Sequence, residues 1–411
     1  MIVKPEPDII EAATPGARAR NALLGALWLA VGTLGGAAVQ AQEAAAAPPP
    51  AAGMLWDAED GALDISGFLA KPFGFYPMVM PITEPAVGAG VALAPVFIDQ
   101  PNEGRGKPNV GGLGAMATSN GSQGLFAGYS GYLLEQRLHL LAAAADASVN
   151  LDFNGLGGGL AVAGDPWRYN LEATGGVVGA EWKLGRRSPW CVGLRYLYAS
   201  VSASFAGKDD WDPQAELDFA ESFGDPSLTS TLSSVQPTLC YDTRDSIFTP
   251  TKGLYAELSA MLNSEVLGGS STYQKLSLTT MWYHPLVDNA LFLGLRGDVM
   301  QSLGEVPFYA RPAITLRGLP MMSSQGEGVA FSEVELRWQF APRWSLVGFA
   351  GAGMAWTSGD RLSSTETTCT GGGGLRYLIA RRYGLHMGLD VACGEEGPAV
   401  YIQFGSAWLR P

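Results

Sequence analysis

Residues 329–356 read VAFSEVELRWQFAPRWSLVGFAGAGMAW, two alternating stretches on either side of a two-residue break. In the first stretch the apolar and polar side chains occupy alternate positions: Ala330, Val334, Leu336, Trp338 and Phe340 against Glu333, Glu335, Arg337 and Gln339. Successive side chains of a β-strand point to opposite faces, so this period of two indicates a strand with one apolar face. Pro342 and Arg343 form the break, and the stretch predicts an antiparallel hairpin.

Alternating segments of this kind continue from residue 86 to residue 408 and predict about sixteen strands. The first would be 86–97, and the fourth and fifth 137–145 and 150–163. The connections after odd-numbered strands include the long ones, whereas those after even-numbered strands are mostly tight turns. The long connections are 98–108, 207–229, 264–271, 304–328 and 358–367.

This sorting of the connections separates two all-β folds. A barrel of the outer membrane has short periplasmic turns at one end and longer loops at the other. A soluble sandwich has no reason to sort its loops by parity. We therefore predict an all-β fold, a transmembrane antiparallel β-barrel of about sixteen strands over residues 86–411.

Composition agrees with a barrel and excludes other classes. Only 16% of the 411 residues are charged and 54 are glycine, yet beyond the first forty residues no apolar run is long enough for a spanning helix. A sequence that is apolar overall, but whose apolar runs are short, is typical of strands with one lipid-facing side. The net charge of −13 argues against nucleic acid as a partner.

The first 85 residues predict export and a tether. Arg18 and Arg20 precede the apolar stretch 21–39, and Ala41 ends a small-residue cleavage pattern, so we expect a signal peptide over 1–41. An uncleaved anchor is the alternative. Residues 42–85 would be an Ala/Pro-rich linker and a short N-terminal segment, too short for a sizeable soluble domain.

Three motifs in the second half of the chain carry a family resemblance. They are YDTRDSIFTPTKGLYAEL (241–258), ITLRGLP (314–320) and GGGLRYLIARRYGLHMGLDVA (372–392). In this order they resemble the BamA/TamA family of outer-membrane proteins, also called the bacterial surface antigen family. The first would be the periplasmic turn motif of the family, through Asp242, Arg244, Asp245, Pro250 and Gly253. A charged turn that merely stays in the periplasm would look the same.

The second motif implies a loop latch. In the family, the arginine equivalent to Arg317 folds its loop back into the lumen and pairs with acidic residues of later strands. Alternation places Glu333, Glu335 and Asp390 on the lumen side, and Gly318 would allow close backbone approach. An ordinary solvated loop arginine is the alternative reading.

Two departures from the family pattern stand out. No stretch of this sequence is read as the soluble periplasmic (POTRA) repeats of the family, so the resemblance is to its POTRA-less branch, and an independent insertase role does not follow. The segment 349–353 reads FAGAG where the family often has an acidic residue in Phe-x-Asp-x-Gly.

The four cysteines fall into two pairs, each placed symmetrically about a predicted connection. Cys369 with Cys393 and Cys191 with Cys240 would each lie across neighbouring strands and on one face of the sheet. Both pairs are disulfide candidates, because opposed positions are close enough to bridge and an exported chain meets oxidising conditions. A register slip of one residue would prevent either bridge, leaving four small hydrophobes.

Catalytic and metal-binding patterns are weak. The three histidines, His139, His284 and His386, are far apart, and only His386 is predicted to face the lumen. No nucleophile motif and no ligand spacing for a metal accompany them, so we expect neither an enzyme nor a cofactor. The acidic loop 208–221 is more easily a solvated loop than a cation site.

The sequence therefore favours a monomer in the Gram-negative outer membrane with a structural or assembly-related role in outer-membrane biogenesis, through insertion of protein or lipid. Its expected partners are outer-membrane lipid and lipopolysaccharide, with the barrel-assembly machinery as a further candidate. A passive channel for small solutes is the alternative function. A third reading is a surface module that acts through loop 207–229.

Overall fold

The computed structural model describes residues 55–69, 76–83, 86–99, 109–153, 155–156, 160–161, 167–186, 188–206, 229–246, 248–357, 366–394 and 397–408. The predicted signal peptide and loop 207–228 lie outside these ranges, as does most of loop 358–367. No helix in the described part is long and apolar enough to cross a membrane. One short helix, α1 (Ser66–Leu69), precedes the sheet.

The described residues form one sixteen-stranded antiparallel sheet and one small hairpin. The strands are β1 (Tyr76–Ile82), β2 (Gly90–Asp99), β3 (Asn109–Thr118), β4 (Gln123–Leu133), β5 (Leu138–Phe153), β6 (Gly155–Leu156), β7 (Leu160–Ala161), β8 (Trp167–Lys183), β9 (Trp190–Ala206), β10 (Thr229–Asp242), β11 (Gly253–Asn263), β12 (Tyr273–Val287), β13 (Leu291–Gly304), β14 (Gly328–Gln339), β15 (Trp344–Trp356), β16 (Glu366–Ala380), β17 (Leu385–Gly394) and β18 (Gly397–Phe404). Strands β6 and β7 form the separate hairpin; the others pair in chain order.

The polarity of the wall is opposite to that of a soluble protein. In β14, Leu336 and Trp338 are 43% and 53% exposed on the outer face, whereas Glu333 and Arg337 are 2% and 6% exposed on the inner face. Apolar side chains outside and charged ones inside suit a wall whose outer solvent is lipid. This confirms the predicted transmembrane barrel and its sixteen strands.

The sheet closes without a complete hydrogen-bonded ring. Its order begins at β1 and ends at β18, and no strand pairing joins these two edges in the described residues. Their Cα atoms nevertheless approach within 8 Å of each other. The two edge strands are also the shortest of the barrel, with seven and eight residues. This gap in the ladder, between β1 and β18, is called the seam below.

The early strands differ from the prediction in two places. The barrel starts with β1 at Tyr76–Ile82 rather than at residue 86, and the single long β5 replaces the predicted strands 137–145 and 150–163. The two differences compensate, so the count stays at sixteen. Connection 98–108 therefore follows the second strand and lies at the end of the barrel with the tight turns, not with the long loops. The weak alternation of small residues in β3 to β5 explains both errors.

The lumen is filled from one side. The loop 305–327 between β13 and β14 carries buried apolar residues into it, among them Val306, Phe308 and Tyr309. They pack on an apolar inner face built by β2 to β10; Phe308 meets Tyr169 edge-on at 5.4 Å between ring centroids. Most charged inner-face residues lie on the later strands, although Glu181 of β8 and Arg195 of β9 also face inward. This division of the lumen was not predicted.

One of the two disulfide candidates is present. Cys191 and Cys240 are directly opposed on β9 and β10, with 5.0 Å between their Cα atoms, and they form a disulfide. The prediction for Cys369 and Cys393 is wrong. The β16–β17 register pairs Cys393 with Gly371, two residues from Cys369, and both thiols are free and exposed. A bulge between Leu378 and Ala380 makes the hairpin centre hard to locate from sequence.

This register predicts the thiol chemistry of the chain. Alkylation of the denatured, non-reduced protein should modify Cys369 and Cys393 and leave Cys191 linked to Cys240, because only the opposed pair is within bridging distance. Peptide mass spectrometry with and without reduction identifies the alkylated and the linked cysteines directly. Modification of all four cysteines without reduction, or a peptide joining Cys369 to Cys393, would contradict the register.

Candidate functional site in the barrel lumen

The tip of loop 305–327 is held in a defined shape before it meets the wall. The loop doubles back, since Ala313 bridges to Gln325 and the Gly326 N–H donates to the Pro312 carbonyl at 3.1 Å. At the tip, the Leu319 N–H donates to the Leu316 carbonyl at 3.2 Å. This tight turn presents Arg317 and Gly318 to the inner face of the last strands.

Arg317 contacts the three carboxylates that the sequence singled out. Its Nε donates to Glu333 Oε1 at 2.7 Å, its Nη2 lies 2.8 Å from Glu335 Oε2, and its Nη1 donates to Asp390 Oδ2 at 2.9 Å. The side chain is only 7% exposed. A planar guanidinium is suited to such a fork, because it donates in several fixed directions within one plane.

Further groups fix the carboxylates around Arg317. Arg376 donates to both oxygens of Asp390, one of them at 2.7 Å, and the Trp408 indole N–H donates to Glu333 at 3.1 Å. The Arg317 guanidinium lies over the Phe349 ring at 3.6 Å. The segment 349–353 lacks the acidic residue of the family pattern, yet its aromatic ring supplies a cation–π contact. The tryptophan near the chain end was not recognised in the sequence as part of this site.

Gly318 lets the loop tip touch the last two strands. Its φ is +92°, and a Cβ there would lie 3.2 Å from the Cβ of Ala392 and from the carbonyl oxygen of Cys393. Its N–H donates to the Tyr401 hydroxyl at 3.0 Å. A larger residue would be strained and crowded against β17. The tip therefore connects β14, β17 and β18, the strands that lead to the seam.

The periplasmic turn motif forms a separate rigid unit. Arg244 Nε and Nη2 donate to the two oxygens of Asp242 at 3.0 and 2.9 Å, and Asp245 accepts from the Thr251 N–H at 2.9 Å. Gly253 has φ +109°, and a Cβ there would lie 2.3 Å from the Thr243 oxygen, so only glycine fits.

The turn also reaches the end of the barrel. The Phe248 carbonyl, next to the buried Pro250, accepts from the Ser406 N–H just after β18. The motif therefore supports the last strand at its periplasmic end. None of its residues contacts Arg317 in the described structure, so the two motifs are separate sites.

The sequence reading missed a third charged cluster, at the periplasmic rim. Arg343, in the turn between β14 and β15, binds Asp57 at 2.6 Å, Asp60 at 2.5 Å and Asp64 at 2.9 Å while being only 4% exposed. Arg381, in the turn between β16 and β17, binds Asp57 at 3.2 Å and contacts Glu59 at 2.5 Å.

Main-chain bonds dock the same segment, residues 55–69, on the rim. The Ile65 N–H donates to the Ile379 carbonyl at 2.8 Å, and the Tyr377 hydroxyl donates to the Leu63 carbonyl at 2.8 Å.

The sequence did contain one signal for this cluster, which is charge complementarity: four acids in eight residues before the barrel, and arginines in two tight turns. It was missed because this stretch was read as linker.

A polar chain joins four of the early strands, β4, β5, β8 and β9. Ser130 Oγ is 2.8 Å from His139 Nε2, and His139 Nδ1 is 3.2 Å from Glu181 Oε2. Arg195 in turn donates to Glu181 at 2.7 Å, and Ser130 is 4% exposed. His139 thus also faces the lumen, contrary to the prediction that only His386 does. Within the described ranges no three metal-ligating side chains come together.

Comparison with known proteins agrees with this fold. Residues 140–311 match the model of the Omp85 superfamily domain. BamA from Haemophilus ducreyi lacking POTRA domains 1–3 is similar, with a TM-score of 0.52 and 13% identity over 81% of this chain and 69% of that chain. No curated protein matches the sequence.

Two further solved structures have the same architecture. CdiB from Escherichia coli gives a TM-score of 0.54 at 12% identity, over 82% of this chain and 60% of that chain. CdiB from Acinetobacter baumannii gives a TM-score of 0.53 at 10% identity, over 80% of this chain and 59% of that chain. At these identities the likeness is one of fold, and this chain spans about three fifths of the CdiB chains.

The class defined by the wall, the lumenal loop and the edge strands is that of outer-membrane β-barrels. Within that class, residues 140–311 match the Omp85 superfamily domain, and the fold is that of a BamA/TamA-like barrel of the Gram-negative outer membrane.

The Arg317 cluster predicts a large loss of stability on truncation. Arg317→Ala should lower the free energy of unfolding by about 3–5 kcal/mol, because it leaves buried carboxylates without their cation. Urea unfolding of the refolded barrel, followed by tryptophan fluorescence, measures it. Arg186→Ala, which removes an exposed pair with Glu135, is the matched control and should change little. Equal effects of the two substitutions would contradict the cluster.

The rim cluster predicts acid release of residues 55–69. The hydrogen bond from Arg343 holds the pKa of Asp60 below its usual 3.8. Burial acts to raise the pKa of Asp64, but hydrogen bonds from Ser66 and Arg343 outweigh it, so that pKa is also lowered. Groups with depressed pKa values stabilise the docked state at higher pH and lose this effect as pH falls through the folded pKa.

Docking should therefore persist at pH 5 and fail only below the usual pKa of 3.8. Hydrogen exchange at the Ile65 amide, corrected for its intrinsic rate, should show protection down to that range, with an amide in the middle of β11 as the internal control. Loss of Ile65 protection already near pH 6 would mean that other groups hold the segment.

Proposed function

We propose that this barrel acts in outer-membrane biogenesis by helping proteins or lipids enter the membrane through the seam between β1 and β18. The observation that carries the proposal is the absence of strand pairing between these edges in the described residues, although they lie side by side. Unpaired backbone groups within a bilayer are costly, so an edge left open there favours pairing with an incoming strand. No catalytic group is needed for this role.

The filled lumen supports this role over the alternative of a passive channel. Loop 305–327 occupies the lumen, and its residues Ile314 and Leu316 are 0% and 4% exposed. A channel for small solutes needs a continuous aqueous path, and a lumen packed with apolar side chains resists wetting. The lateral route through the seam does not need such a path.

The partners follow from the same proposal. The membrane-facing side of the seam would meet outer-membrane lipid and lipopolysaccharide, and the periplasmic end would receive an unfolded cargo, alone or from the barrel-assembly machinery. BamA and CdiB share the fold. We propose that the chain works as a monomer, because one barrel contains both edges of the seam.

Locking the seam tests the proposal in the native host. Val79 and Ile402 lie on the two edge strands, at positions that alternation places on the lipid side. Both are replaced by cysteine in a Cys369→Ser, Cys393→Ser background, and the pair is joined with a bifunctional maleimide. The locked barrel should lose the ability to restore outer-membrane protein and lipid composition when the native copy is depleted.

The barrel carrying Val79→Cys alone, treated with the same reagent, is the matched control and should restore the composition. Quantitative mass spectrometry of isolated outer membranes reads the result. A locked barrel that restores the composition as well as this control would refute transfer through the seam.

Single-channel conductance discriminates the two candidate functions. The refolded wild type should be nearly closed, and Arg317→Ala should open it, since the substitution releases the loop from β14 and β17. Planar-bilayer recordings of both proteins measure this. A large, steady wild-type current that the substitution leaves unchanged would favour the passive channel instead.

A further inference from the structure

We propose that residues 55–69 form a clasp that ties β1 to the late strands at the periplasmic rim, so that a wide separation of the two edges there requires release of the clasp. The clasp consists of Asp57, Asp60 and Asp64 bound to Arg343 and Arg381. This inference rests on the proposed function, because it concerns how movement at the same seam is controlled.

One end of the clasp is fixed to the late strands. Arg343 lies in the β14–β15 turn, and its three guanidinium nitrogens all bind carboxylates of the segment. It also donates to the Leu378 carbonyl at 3.1 Å, so the same side chain reaches β16. Arg381 and the Ile65–Ile379 main-chain bond add contacts at the β16–β17 turn. The segment is therefore attached to the turns that join β14 to β15 and β16 to β17, on the β18 side of the seam.

The other end is fixed by the covalent chain. Leu69 ends α1 on the late-strand side, and Tyr76 begins β1 on the opposite side of the seam. Seven peptide steps separate the two residues, which limits their Cα separation to about 25 Å even in a fully extended chain. While the clasp is bound, β1 cannot leave the late strands at this end by more than that reach. The extracellular end of the seam has no such restraint in the described residues.

The chemistry of the clasp suits a device that stays closed until it is displaced. Four carboxylates face two arginines, and Arg343 is only 4% exposed while the segment is bound, so removing the segment would separate several ion pairs at once. Each acid lies outside the barrel wall, and the segment can detach without unfolding a strand. A cationic cargo segment or a basic partner could compete for the same carboxylates.

Distance measurements across the seam test the clasp directly. Spin labels are placed at Val79→Cys and Ile402→Cys in the full chain with Cys369→Ser and Cys393→Ser, keeping the Cys191–Cys240 disulfide. In the parent barrel we expect one narrow distance distribution by pulsed electron paramagnetic resonance. Asp57→Asn with Asp60→Asn should roughly double its width and add a longer component, since the constraint on β1 is released.

Two further variants make the result decisive. Arg186→Gln with Glu135→Gln removes an exposed ion pair at the same end of the barrel and should leave the distribution unchanged. Arg343→Gln should widen it as the double asparagine variant does. The asparagine substitutions lie outside the wall, so the barrel folds even if Arg343→Gln does not. An unchanged distribution in the double asparagine variant would overturn the clasp.

The outcome separates this inference from the proposed function. A widened seam together with normal complementation by the locked barrel would support the clasp and refute transfer through the seam. An unchanged distribution together with loss of function on locking would refute the clasp alone. Equal widening in the Arg186 and Glu135 control would also refute it, because the effect would then not depend on the segment 55–69.

Discussion

The structure depends on one constraint: within a bilayer every backbone N–H and C=O group of the wall needs a partner. Fourteen of the sixteen strands satisfy it on both sides, and the two edges, β1 and β18, do not pair with each other in the described residues. A sheet with an unmatched edge is open to further pairing, which is a hazard in most proteins and a useful property in an assembly factor. The other features around the lumen can be understood as restraints on that edge.

These restraints act at three levels. In the lumen, Arg317 joins Glu333 of β14 to Asp390 of β17. At the periplasmic end, the Phe248 carbonyl holds the chain just after β18. At the rim, Arg343 holds the segment that leads into β1. Two of these restraints are built on a desolvated arginine, whose loss leaves charges unpaired, so the restraint is strong while intact.

The sequence predicted the later half of the barrel well and the earlier half less well, for a physical reason. From β10 onward, large apolar and charged side chains alternate, as at Leu336 and Arg337, and the period of two is unambiguous. In β3 to β5 both faces carry alanine and glycine, and the inner face is apolar because it packs against Phe308 and Tyr309. Without polar contrast the register and the strand ends are undetermined.

The residues of the site were likewise predictable where a local sequence pattern placed them, and not where they meet only through long-range contacts. The partners of Arg317 could be named, because the family resemblance implied a loop arginine folded into the lumen and alternation put Glu333, Glu335 and Asp390 on the lumen side. The rim cluster could not, because it joins residues nearly three hundred positions apart, such as Asp57 and Arg343, and no local pattern encodes that distance. In the sequence, a short acidic stretch is indistinguishable from a solvated linker, because its arginine partners lie far along the chain and meet it only in the fold. In barrels of this kind, acids placed before the first strand are therefore informative only together with the turns at the periplasmic rim.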